Sequence, residues 1–248
     1  MKTKKKALVY LGTDKFNLNI LDSLLLIILK EKKKIDFHFI SPKPLKSKIL
    51  KNLKTYKSFN QFRKKEKFQN FKILLNLWSS TIFTKNFLNN FEMNLNLHPS
   101  YLPYWRGKNS AYYANLNLKG NGATLHEMDD KIDNGKIFIR KGIKVDFEET
   151  GFETYKKSIK ESIKLFKNNF SKIIRGKIKK NKIKSNTRVY LKNEFPNFKF
   201  VDLNKKRNKQ IYNFLRNTLS LDFPENKMHV RFQKDFYEIK VDLKKIRK

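Results

Sequence analysis

The chain has 248 residues, with 57 Lys or Arg against 22 Asp or Glu, a formal net charge of +35, and no cysteine. At roughly 150 residues per domain this is one large domain, or one domain with a small appendage, and 22 Phe with 10 Tyr are too many for a solvated, disordered chain. The lack of cysteine excludes disulfides, thiolate nucleophiles, iron–sulfur clusters and Cys-based zinc sites. Four histidines leave little room for a multi-histidine centre, so no metal is expected.

A basic field attracts phosphates. Only nine of the 57 basic residues are Arg, the side chain suited to bidentate phosphate and base contacts. Lys is spread along the whole chain beside Asn, Ile and Phe, residues with AT-rich codons, so compositional drift is the simpler source of the surplus. Charge alone supports nonspecific nucleic-acid binding. The longest apolar run, Leu24–Leu29, is far short of the ~20 residues that cross a bilayer. Asp14, Lys15, Asn17, Asn19 and Asp22 interrupt any signal-peptide core. The expectation is a cytoplasmic protein with an uncleaved N-terminus.

In chain order, Ala7–Leu11 is a short apolar run closed by Gly12-Thr13-Asp14, which predicts a buried strand and a helix start. Phe16, Ile20, Leu24 and Ile28 then form a helical stripe. Ile35–Ile40 and Ile73–Trp78 predict further strands, with helix and loop over 45–70 and a short helix ending near Phe87–Phe91. Alternating strands and helices define an α/β fold: a Rossmann-like, doubly wound, mostly parallel sheet with flanking helices. Met93–His98 alternates, with Met93, Leu95 and Leu97 on one face and Asn94, Asn96 and His98 on the other. A strand buried in a parallel sheet is ordinarily apolar on both faces. Polar side chains at its C-terminal end lie where such sheets place their ligand crevice.

Ala123–Met128 and Ile137–Ile143 predict strands around a turn-rich loop, Asp129–Gly135. Thr150 and Glu153 have capping-box spacing ahead of Phe152, Tyr155, Ile159, Ile163, Phe166 and Phe170, the clearest helical stripe in the chain. The expected organisation is a catalytic domain over 1–170, a basic linker over 171–187, and a small C-terminal α+β region over 188–248. That last region holds a helix near 204–219 and a β-hairpin from strands near 228–232 and 236–242.

The common phosphate-binding and hydrolase signatures are missing: no Gly-x-Gly-x-x-Gly turn follows the first strand, and neither a phosphate loop nor a Gly-x-Ser-x-Gly elbow is present. One dense constellation remains. Asn96 and His98 project from one strand face, and Asp133 follows in Asp133-Asn134-Gly135. A histidine near a carboxylate serves as a general base, and a neighbouring amide can hydrogen-bond an oxyanion. Each piece alone also has a structural reading: a hydrogen-bonded Asn-x-His pair, a turn at Asp-x-Gly, a stacked loop at Trp105-Arg106-Gly107.

Together, Asn96-Leu97-His98-Pro99-Ser100-Tyr101-Leu102-Pro103 with Arg106-Gly107, then Gly122-Ala123-Thr124 and Met128-Asp129 through Asp133-Asn134-Gly135, resemble the signature of the folate-dependent formyltransferase family. The likeness spans about residues 6–170. It implies transfer of a formyl group from N10-formyltetrahydrofolate to an amine, with Asn96, His98 and Asp133 as the catalytic trio. It places the donor near Trp78, Ser79, Met128 and Asp129, and the acceptor near Ser100, Tyr104, Trp105, Arg106 and Gly107. Among the branches, the length, the Tyr104-Trp105-Arg106-Gly107 segment and the tail look most like nucleotide-sugar N-formyltransferases. Trp105 stands where that group often has Asn, which with the charge keeps methionyl-tRNA formyltransferase as an alternative. A non-catalytic, basic RNA-binding relative is the reading from a different class. The apolar tail is compatible with a homodimer.

Overall fold

A computed structural model describes residues 4–12, 18–42, 47–79, 81–146, 149–183, 187–191, 194, 200–202, 208–221, 228–232 and 235–239. The first elements are β1 (Lys5–Leu11), α1 (Leu18–Leu29), β2 (Ile35–Ile40), β3 (Lys54–Tyr56), α2 (Phe59–Arg63), β4 (Phe71–Leu77), α3 (Lys85–Leu88) and β5 (Met93–His98). They are followed by β6 (Arg106–Gly107), α4 (Ser110–Leu116), β7 (Asn121–His126), β8 (Ile137–Ile143) and α5 (Gly151–Ile174). The tail contributes β9 (Val189–Tyr190), β10 (Phe200–Asp202), α6 (Asn208–Leu221), β11 (Met228–Phe232) and β12 (Asp235–Ile239).

The main sheet has seven strands in the order β3-β2-β1-β4-β5-β7-β8. Pairing is parallel from β3 through to β5, and β5 meets β7 antiparallel. The expected α/β sheet with flanking helices is therefore present. Successive strands run outward from β1 on one side and from β4 on the other, so the switch point lies between β1 and β4. Both faces are covered, as a parallel sheet requires. Ala7, Val9, Leu11, Leu75, Leu95 and Leu97 pack with Leu24 and Ile28 of α1 and Phe166 and Phe170 of α5. On the other face Leu8, Tyr10 and Leu74 pack with Phe62, Phe83, Leu88 and Phe91.

The capping box forms: the Thr150 N–H donates to Glu153 Oε2 at 2.9 Å, and the Glu153 N–H donates to Thr150 Oγ1 at 3.1 Å. Ile159, Phe166 and Phe170 of the helix behind it are buried. That helix continues past Phe170 to Ile174, and Asn181 bridges Ile137 within 171–187. Four strands were not expected: β3 and the short β6, β9 and β10. Lys54–Tyr56 lies inside the stretch read as helix and loop, and it pairs with β2 at the sheet edge. Three residues are too few to show an alternating pattern. Thr13, Asp14 and Phe16 of the predicted first helix start lie outside the described residues, as do 240–242 of the predicted last strand.

The chain folds into two compact units. One comprises Met1–His98, Ala123–Lys141 and Glu161–Ser185; the other comprises Pro99–Gly122, Gly142–Lys160 and Asn186–Lys248. In the second, β10, β11 and β12 form a three-stranded sheet and β6 pairs with β9. Asn115 of α4 is its polar hub. Its amide donates to the Glu149 carbonyl at 2.8 Å and to Thr154 Oγ1 at 2.9 Å, while Ser220 Oγ of α6 donates to its Oδ1 at 2.6 Å. The buried Arg216 guanidinium donates to the Asn115 carbonyl, and Tyr112 donates to Asn217 Oδ1 at 2.9 Å. Among the described residues no helix is long and apolar enough to cross a membrane.

Candidate active site

The polar face of β5 is continuous with its neighbours. Parallel register sets Asn76 of β4 beside Asn96, and antiparallel register sets His126 of β7 beside Asn96 and Thr124 beside His98. All five side chains are at least nine-tenths buried. Polar groups so buried need partners, and three of the five, Asn96, His98 and His126, converge on one loop. Asn96 Nδ2 donates to His126 Nε2 at 2.9 Å and reaches Asp133 Oδ1 at 3.5 Å. His98 Nδ1 lies 3.6 Å from Asp133 Oδ2, an ion-pair approach rather than a hydrogen bond. His126 Nε2 lies 3.6 Å from Asp133 Oδ1. The structure therefore brings Asn96, His98 and Asp133 together, with His126 as a fourth member.

The loop that carries Asp133 is braced on three sides. Asp129 accepts from the Lys131 N–H at 3.0 Å and from Asn134 Nδ2 at 2.8 Å. Asn94 Oδ1, also on the polar face of β5, accepts from the Met128 N–H at 2.6 Å. Gly135 passes so close to the Glu127 carbonyl that any Cβ would overlap it, and the Glu127 N–H donates to the Lys136 carbonyl at 2.8 Å. Asp133 itself has φ +47°, in the left-handed region that Asp tolerates better than most residues.

At the switch point the Gly12 N–H donates to the Leu77 carbonyl at 2.8 Å, and a Cβ at Gly12 would overlap the Trp78 carbonyl. Trp78 is left-handed at φ +58°. Ser79 Oγ donates to Thr81 Oγ1 at 2.9 Å, and its carbonyl accepts from Asn76 Nδ2 at 3.4 Å. Among the described residues of this unit, three buried side-chain polar atoms have no hydrogen-bond partner: Asn76 Oδ1, Trp78 Nε1 and His98 Nε2. A buried polar atom without a partner is costly. Three of them at the C-terminal ends of adjacent strands suit a polar ligand.

The acceptor-side candidates lie in the second unit. Ser100 Oγ donates to the Tyr104 carbonyl at 2.9 Å, and Trp105 Nε1 donates to the Lys119 carbonyl at 2.5 Å. Arg106 is buried and donates to the Thr187 carbonyl at 3.4 Å. Gly107, at φ +92°, lies against the Tyr190 carbonyl, where a Cβ would not fit. Trp105 stacks on Tyr113 at 6.0 Å, and Lys119 lies over the Tyr104 ring at 5.0 Å.

His126 and Asn76 were not singled out from the sequence, and Asn94 was placed on the polar strand face without a role. His126 falls inside the motif block between Thr124 and Met128, and alternation with Thr124 was the available signal. Asn94 shares the period of Asn96. Asn76 is the one polar residue in an otherwise apolar run.

A carboxylate, an imidazole with one unpartnered nitrogen and an amide donor thus lie together at a strand-end face, groups of the kind that serve acid–base chemistry and oxyanion binding. The chain belongs to the formyl transferase family, which matches residues 28–168. The bifunctional polymyxin resistance protein ArnA of Wigglesworthia glossinidia brevipalpis is 29% identical over 189 residues, covering 74% of this chain and 28% of that protein. The chain spans about a quarter to a half of the curated relatives it matches. A 4-N formyltransferase from Francisella tularensis superposes with TM-score 0.80 at 22% identity, covering 98% of this chain and 99% of that one. An N-formyltransferase from Helicobacter canadensis, solved with folinic acid and dTDP-3-aminofucose, gives TM-score 0.68 at 19% identity, covering 94% and 85%. At such identities the superpositions establish the fold.

Proposed function

We propose that the chain transfers a formyl group from N10-formyltetrahydrofolate to the amine of a nucleotide-linked amino sugar. The observation that carries this reading is the convergence of Asn96 and His98 on Asp133, with the buried Nε2 of His98 left without a hydrogen-bond partner. That nitrogen is available to a reacting group. His98 Nε2 takes the proton that the acceptor amine sheds as its nitrogen bonds to the formyl carbon. Asp133 stabilises the imidazolium so formed and orients the ring. An Asn96 N–H faces the formyl oxygen as negative charge gathers there. His98 then returns the proton to the nitrogen that leaves, so the proton count balances.

The donor supplies the formyl group when bound. A pterin presents an edge of donors and acceptors, and the unpartnered Trp78 Nε1 and Asn76 Oδ1 offer one of each. Trp78, Ser79, Met128 and Asp129 would hold it. Ser100, Tyr104, Trp105, Arg106 and Gly107 are assigned to the acceptor. The trio falls within 1–170, the stretch assigned to catalysis, with 171–187 as linker and 188–248 as the small C-terminal region. The folinic acid and sugar nucleotide in the Helicobacter structure support this choice of donor and acceptor class. With a net charge of +35, the chain should also hold nucleic acid nonspecifically, with affinity falling steeply as salt rises.

Purified protein should be offered aminated dTDP-, UDP- and GDP-sugars with the donor, and methionyl-tRNA as a parallel acceptor. Formylation of one sugar nucleotide well above the tRNA is the expected result. Preferential formylation of methionyl-tRNA at physiological salt would overturn the acceptor assignment.

A further inference from the structure

His126 is a fully buried histidine in direct contact with Asn96, and the mechanism above gives it no task. Its two ring nitrogens have different partners. Nδ1 lies 2.7 Å from the Glu127 carbonyl oxygen. A carbonyl only accepts, so Nδ1 carries the hydrogen. A neutral ring protonated there has a lone pair at Nε2, and Asn96 Nδ2 sits 2.9 Å from it. We propose that His126 is a positioning residue whose neutral ring, protonated at Nδ1, accepts one N–H of Asn96 and so holds the other N–H toward Asp133 and the reacting oxygen.

The reversed amide would set Asn96 Oδ1 against the Nε2 lone pair and toward the Asp133 carboxylate, two repulsive contacts. Asp133 alone is a weak anchor for the amide, because its approach to Asn96 Nδ2 is 3.5 Å. The lock follows from topology: β5 and β7 run antiparallel with Asn96 and His126 directly paired, so the two side chains share a face. An amide turned the wrong way would meet the developing oxyanion with its own oxygen.

The ring must stay neutral for the lock to hold, since an imidazolium would donate at Nε2 and favour the reversed amide. Burial pushes the His126 imidazole below its ordinary pKa, and the nearby His98 acts in the same direction. Asp133, Asp129 and the bond to the Glu127 carbonyl oppose them. The net direction is down, toward the neutral ring.

The rate predictions here rest on the formyl-transfer reading; the tautomer does not. Full-length protein labelled with 15N-histidine should show His126 as the neutral Nδ1–H tautomer at pH 7 in long-range proton–nitrogen correlation spectra. An imidazolium, or the Nε2–H tautomer, would overturn the proposal. His126→Met removes the acceptor, and kcat should fall by about 10²-fold, the scale of a misplaced catalytic group, with donor KM within about threefold of wild type. His126→Gln restores an acceptor oxygen and should recover at least about tenfold of that loss. A His126→Met enzyme as fast as wild type, or a folded Gln variant as slow as Met, would also overturn it. Wild-type protein that formylates no amine would defeat the formyl-transfer reading, and the tautomer measurement would still decide the His126 assignment.

Discussion

At the scale of single residues, the site is marked by groups that folding leaves under cost. Trp78 and Asp133 hold left-handed backbone at φ +58° and +47°, a conformation that costs an ordinary residue roughly 1–2 kcal/mol. The indole nitrogen of Trp78 is buried without a partner, although donors of that kind usually find one. Trp78→Phe keeps the ring and removes the N–H. If that N–H meets the donor, donor KM should rise by about three- to tenfold, the value of one hydrogen bond, with kcat unchanged. Steady-state kinetics with donor as the varied substrate checks this, and an unaltered KM would remove Trp78 from the donor site. Asp133→Asn keeps the size and the tolerance of left-handed backbone but loses the charge facing His98 and His126. It should lower kcat by at least ~10²-fold at unchanged thermal stability. Activity within a few-fold of wild type would show that the carboxylate does not assist His98.

At the scale of elements, the Asp133 loop works because the chain returns tightly onto itself. Gly135→Ala would drive a Cβ into the Glu127 carbonyl. The backbone must then shift beneath Asp133, and misplacement of about 1 Å can cost about 10²-fold in rate. The variant should fold, with a loss of about 1–3 kcal/mol, and lose most of its kcat. A denaturant titration alongside the assay separates the two effects, and full activity in Gly135→Ala would contradict the loop account. The elements were unequally legible in the sequence. Short apolar runs marked β1, β2 and β4, and Thr150 with Glu153 marked the start of α5, because those signals are local. Asn96, His98 and Asp133 stood out because the polar period of β5 conflicts with a buried strand and because the motif block carries all three. The antiparallel pairing of β5 with β7 is non-local, so His126 could not be tied to Asn96 from spacing alone. The edge strand Lys54–Tyr56 was too short to show any period. Neither α4 nor Asn115 was marked in the sequence, because the partners that Asn115 gathers lie tens of residues away in the chain.

At the scale of the whole molecule, two buried histidines set an acid limit. Burial depresses the imidazoles of both His38 and His126, against the pull of Asp36 and Asp133 respectively. A histidine with a depressed folded pKa stabilises the fold in full above its unfolded value of roughly 6.5, and that contribution is lost as pH falls through the folded value. Urea midpoints should therefore drop between pH 7.5 and 5.5, and His126→Gln should make the drop shallower. Equal midpoints at the two pH values would show that these rings do not titrate on unfolding. The tail belongs to the same cooperative structure as the second unit. Arg216, Asn217 and Ser220 of α6 satisfy Asn115 and Tyr112 of α4. Truncation after Lys184 would strand those groups, and each buried group left unsatisfied costs about 1–3 kcal/mol. The shortened chain should be poorly soluble or aggregated in sedimentation. A truncated chain as soluble and active as the full one would show that the tail is dispensable.

In the proposed reaction the unpartnered nitrogen of His98 carries the proton from the amine to the leaving nitrogen. The most direct measurement is the single-turnover rate of His98→Ala on the preferred amine acceptor, with donor affinity measured by titration on the same preparation. The rate should fall by at least ~10²-fold, the usual scale for a general base, with donor affinity little changed. A rate within a few-fold of wild type would rule out His98 as the group that moves the proton.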